Sequence, residues 1–111
     1  MAEEVLHSET TPDGGTRTVW LSHFPEGGVA VNGQDLGDLS RFFGEGIREY
    51  EWAHSVAASD VPALVRALGG SADAYLVELM KARFSGVRHR EFSDFCKGHG
   101  ISVEFWSRLG E

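Results

Sequence analysis

The sequence predicts an α+β fold: a small antiparallel β-meander of about three strands, followed by about three α-helices packed on one face. Two observations point there. Residues 49–56, EYEWAHSV, alternate with period two, the pattern of a half-buried strand. After Ser59 the apolar spacing becomes that of a helix. Strands thus precede helices, an order that favours α+β.

Residues 1–16 end in TTPDGGT and are polar and rich in turn formers. They predict a flexible N-terminal tail, with residues 17–111 as a single domain. TRTVWLSHF follows, dominated by β-branched and aromatic residues, and predicts a strand. Pro25 stops it, and Pro-Glu-Gly-Gly suits a hairpin loop because glycine takes positive φ. Val29 and Val31 then begin the returning strand. Asn32-Gly33 comes too soon for a second hairpin turn, so it is expected as a bulge or as the fraying end of that strand. LGDLSRFFGEG predicts a long connection with at most one helical turn.

In the alternating segment, Tyr50, Trp52, His54 and Val56 fall on one face, and Glu49, Glu51, Ala53 and Ser55 on the other. SDVPALVRALGG places Val61, Leu64, Val65 and Leu68 on one helical side, with Pro62 in the first turn and Gly69 after the end. A second helix runs through SADAYLVELMKARFSG, with Ser71 as its cap, Tyr75, Leu76, Leu79, Met80 and Arg83 to Phe84 as its stripe, and Gly86 as its end. A third spans about Arg88 to Lys97, with Phe92, Phe95 and Cys96 inward. The last apolar segment, residues 101–109, fits either a strand or a short helix.

The chain has 111 residues, 41% of them hydrophobic, and twelve aromatics, from 7 Phe, 3 Trp and 2 Tyr. That suffices for a core without staples. Cys96 is the single cysteine, which fits a reducing compartment. The N-terminus shows no basic segment followed by an apolar run, and no apolar stretch approaches the roughly 20 residues of a membrane helix. A cytoplasmic protein without membrane contact is expected. The net charge is −7. Residues 1–60 carry eleven acids against three Lys/Arg, giving −8, and residues 61–111 carry six against seven, giving +1. Nucleic acid is not an expected partner on this balance, since phosphate neutralisation dominates such binding.

Gly27, Gly28, Gly33 and Gly37 precede no helix closely, and Glu26, Asp35 and Asp38 would repel phosphate, so turns are expected rather than a phosphate loop. Cys96 and His99 have a Cys-x2-His spacing, but a zinc site wants more ligands, and Cys96 shares an apolar stripe with Phe92. A solvated acidic face is expected of Asp35, Asp38, Glu45, Glu49 and Glu51. No metal, no cofactor and no catalytic residue are predicted. Phe42 and Phe43 sit in a glycine-flanked acidic connection, a composition suited to interface anchors as well as to tethering the loop.

The segments NGQDLG, EYEW, DVPALVRALGG and EFWSRLGE resemble a group of small uncharacterised actinobacterial proteins. The resemblance covers roughly residues 28–111 and implies a small cytoplasmic protein. Small acidic α+β proteins of such bacteria include toxin-neutralising immunity proteins, an analogy of size and charge.

The function expected is therefore that of a non-enzymatic, acidic, soluble interaction protein, immunity-like, with a basic protein as partner. Phe42, Phe43, Glu45, Glu49 and Glu51 are its candidate contact residues. The alternative is a small-ligand-binding or enzymatic domain, with a pocket between sheet and helices near Tyr50, Trp52 and His54.

Overall fold

A computed structural model of the chain describes residues 2–12, 14–37, 39, 43–71 and 75–110. It is α+β, with a single antiparallel sheet of five strands rather than about three. The strands are β1 (Ala2–Thr10), β2 (Thr16–His23), β3 (Val29–Leu36), β4 (Glu49–Val56) and β5 (Glu104–Gly110), in spatial order 1-2-3-4-5. Three helices lie between β4 and β5: α1 (Val61–Ala67), α2 (Leu76–Phe84) and α3 (Phe92–Gly98). Short 3-10 turns, Ala58–Asp60 and Gly86–Glu91, lead into α1 and α3.

The two strands beyond the expected three are the edges. Residues 2–10 form β1 instead of a tail, pairing with β2 from Ala2↔His23 to Thr10↔Thr16. The alternation of this segment is broken by a register shift between Val5 and His7, and among its described side chains Leu6 alone enters the core. Its acids suit an edge, where charge discourages further pairing. The C-terminal segment, open between strand and helix, is β5, paired with β4 from Glu49↔Gly110 to Ser55↔Glu104.

The β2–β3 hairpin turns at Pro25–Gly28. Phe24 N–H donates to Gly28 O over 2.8 Å, and Gly27 takes φ +106°. Asn32-Gly33 is neither a bulge nor a frayed end. β3 pairs without a shift from Val29 to Leu36 on both sides. Glycine is tolerated there because a neighbouring ring fills the space its side chain lacks.

Directly opposed residues in an antiparallel sheet share a face, so the register sorts the whole sheet. Leu6, Val19, Leu21, Val29, Val31 and Val56 meet Leu64, Val65, Leu76, Val77, Met80, Phe84, Phe92 and Cys96 in one core. All three helices thus pack on one side. Phe84 and Phe92, both fully buried, meet edge to face at 5.2 Å. Each such ring contributes about 1.5–3 kcal/mol by burial alone. Among the described residues no helix is long and apolar enough to cross a membrane.

Candidate functional site

Tyr50, Trp52 and His54 occupy successive positions on the helix-facing side of β4. They line a cleft of about 290 Å³ with His89, Arg90, Ser93 and Phe105. The rings fill much of it. His54 contacts Trp52 at 5.5 Å and Phe105 at 4.9 Å between centroids. The Trp52 indole stacks on His89 at 6.0 Å and, on its other side, covers Gly33. With both faces occupied, Trp52 offers no stacking platform to a ligand.

His89 is only 6% exposed, and neither of its ring nitrogens has a hydrogen-bond partner; His54 Nδ1 is likewise unpartnered. Burial pushes the His89 pKa down to about 4, with His7, Arg90 and Arg17 acting in the same direction. Burial, then the charge of Lys97, also lowers His54. Among the described residues the cleft is lined by no carboxylate, and His89 makes no hydrogen bond to Ser93. General acid–base or nucleophilic catalysis needs such a positioned pair.

A larger cavity, about 850 Å³, opens on the other side of Tyr50, beyond the helices. Its walls include Glu9, Arg17, Asp35, Leu39, Phe43 and Tyr50. Arg17 Nε donates to Asp35 Oδ1 over 2.8 Å and Nη2 donates to Oδ2 over 3.1 Å. Glu9 Oε1 lies 3.7 Å from Arg17 Nη1. Asp35 is nearly buried, at 9% exposure. Sequence reasoning missed this pair and placed Asp35 on a solvated face. The signal was present: counting outward from the Pro25–Gly28 turn sets Arg17 opposite Asp35.

The other face of the sheet carries no helix among the described residues. Across it runs the row Val5, Trp20, Asn32, Ala53 and Trp106. Asn32 Nδ2 donates to Ser22 Oγ over 2.8 Å, anchoring the middle of the row. Trp106 is 52% exposed. Among the described strand residues of this face the acids are Glu3, Glu49, Glu51 and Glu104, against the one cation Arg108: four negative and one positive, net −3. Arg108 Nη2 donates to Glu49 Oε1 over 2.8 Å and to Glu51 Oε1 over 3.1 Å. A hydrogen bond between the two carboxyls raises the Glu49 pKa and lowers that of Glu51.

The contact residues expected from sequence are therefore divided. Glu49 and Glu51 project from the uncovered face, and Glu45 is exposed on the β3–β4 connection. Phe43 belongs to the opposite side, its ring 4.8 Å from that of Tyr50. Phe42 lies outside the described residues. Trp20 and Trp106 are the aromatics of the uncovered face.

Cys96 and His99 do not converge. The Cys96 thiol is fully buried, and burial pushes its pKa up to about 11, which disfavours the thiolate a metal needs. His99 is exposed and packs on Phe95 at 4.6 Å. Among the described residues no group of three or more His, Cys, Asp or Glu is placed to hold a metal ion.

Comparisons with protein-family models, with curated proteins and with solved structures find no match.

Proposed function

We propose that this chain is a non-enzymatic interaction protein that binds a basic protein on the uncovered face of its sheet. The observation behind this reading is that face itself: two tryptophans flanking a shallow row of small residues, within an acidic surround of net −3. The half-buried Trp20 and the exposed Trp106 would serve as anchors, and rim acids set encounter rate. An immunity-like role, in which a basic toxin domain is blocked, fits such a surface and needs no catalytic group.

The test begins with a pull-down from the native host, followed by binding kinetics of the purified partner at two ionic strengths. Association should slow as salt rises, since such fields act over about 10 Å at 0.1 M salt. Reversal of Glu45, Glu49 and Glu51 to lysine should cut the association rate, and Trp20→Ala or Trp106→Ala should speed dissociation. A partner that docks on Lys81, Arg83, Arg88 and Arg90, unaffected by these changes, overturns the reading.

One observation favours a second reading, a small-ligand binder. The cavity around Arg17, Asp35, Phe43 and Tyr50, at about 850 Å³, falls in the range typical of ligand sites. A small molecule that raises the melting temperature of the native chain but not of an Arg17→Met variant would support it.

A further inference from the structure

The two edges of the sheet differ in a way that bears on self-association. Unpaired strand edges invite pairing with another chain, and proteins block this with bulges, charges or proline. β1 is blocked: its register shifts between Val5 and His7, and Glu3, Glu4 and Glu9 lie along it. β5 is not. It pairs with β4 without a shift over its length, holds no proline, carries one acid and one base, Glu104 and Arg108, that can pair with each other, and is exposed from Glu104 to Leu109. Phe105, Trp106 and Leu109 are 59%, 52% and 46% exposed. Three large apolar side chains on seven residues of open edge are a poor terminus for a monomer.

We propose that two copies of this chain pair through β5, antiparallel about a two-fold axis at Ser107, forming one ten-stranded sheet. Ser107 is the midpoint of Glu104–Gly110, so this register overlaps the strand in full. It is also self-complementary, as an isologous contact requires. On the helix-facing side, Phe105 opposes Leu109 of the second copy. On the uncovered side, Trp106 opposes Arg108, a cation–π arrangement. Glu104, which forms no ion pair among the described residues, becomes the diagonal neighbour of that same Arg108. Phe105, Leu109, Trp106, Arg108 and Glu104 thus each gain a neighbour of matching chemistry in the second copy. The inference concerns an edge rather than a face and needs no partner protein, so it stands or falls apart from the proposed function.

The experiment is light scattering on the intact chain from about 1 to about 300 µM, a span that covers weak to moderate self-affinity. The mass should rise from 12.2 kDa toward twice that value. Trp106→Glu and Leu109→Lys should each weaken the dimer at least about tenfold while circular dichroism stays native. A Ser107→Cys variant fixes the register. Opposed residues of paired strands lie about 4.5–5.5 Å apart at Cα, inside the disulfide range, so mild oxidation should yield covalent dimers. The matched Val5→Cys variant on the guarded edge should not. A mass of 12.2 kDa throughout the range, or cross-linking of Ser107→Cys no faster than of Val5→Cys, overturns the proposal.

Discussion

The Trp52 indole lies flat across Gly33, its directly opposed neighbour on β3. A Cβ added at Gly33 would fall inside the ring. A strand interior ordinarily disfavours glycine by roughly 0.5–1 kcal/mol relative to alanine, but here only glycine leaves room. The ring is backed on its far side by His89. Gly33→Ala should therefore destabilise by at least about 2 kcal/mol, through overpacking. In a Trp52→Ala background the same change should be neutral or stabilising, because the obstacle is gone. Urea midpoints of the four chains form a double-mutant cycle. Additive effects would show that the two residues do not meet.

The faces of β4 make a second comparison. Trp52 packs against the core, while Glu51 turns to the uncovered face, where it meets Arg108 and Gln34. Trp52→Ala should cost about 3–5 kcal/mol. Glu51→Ala should shift the midpoint little, as truncation within an exposed, solvent-screened ion pair does. Denaturant midpoints decide it, and equal shifts would mean that the faces are exchanged.

What the sequence made legible follows from how strongly burial writes itself into spacing. β4 has one buried face and one polar face, so period two is plain in EYEWAHSV. Helices α1 and α3 carry continuous apolar stripes and glycine stops. The edges leave weaker traces. β1 contributes one core residue, Leu6, and the irregularity at Val5 to His7 breaks its alternation, so its acids resemble a tail. β5 has apolar residues on both faces, which matches neither period. The sites were harder, because they depend on register. Arg17 meets Asp35 only once the hairpin is closed at Pro25–Gly28, and His89 reaches Trp52 only through the packing of helices on the sheet.

The Arg17–Asp35 pair carries a third prediction. Both Asp35 oxygens accept from Arg17, and the carboxylate is nearly buried. Hydrogen bonds to charged groups contribute about 1.5–3 kcal/mol, and a stranded partner costs more than the pair supplies. Asp35→Ala should destabilise by about 2–3 kcal/mol. Replacing both residues, as Arg17→Met with Asp35→Leu, should recover part of that loss, because no charge is left unpaired. Thermal melts of the native chain and the two variants test it. A double variant worse than Asp35→Ala would sink the idea.

The last prediction concerns acid. His89 sits among Trp52, His7 and Arg90, close enough to Arg17 and Glu9 to feel their charges. Its folded pKa is about 4 against an ordinary 6.5. The folded state therefore resists a proton that the unfolded chain accepts. As pH falls through 6.5 the unfolded chain gains that proton first, and stability declines. The decline continues until the folded pKa is reached and is complete below about 4, where both states are protonated. Stability from this group is thus fully present above pH 6.5. At about 1.4 kcal/mol per pKa unit, the total loss is roughly 3 kcal/mol, most of it above pH 4.5. Carboxylates titrate in the lower part of this range, so the measurement is a difference. Urea midpoints at pH 7 and pH 4.5 should fall further for the native chain than for His89→Phe, which keeps an aromatic ring against Trp52 and cannot titrate. Parallel losses in the two chains would mean that His89 takes its proton while folded and that the space around it admits charge.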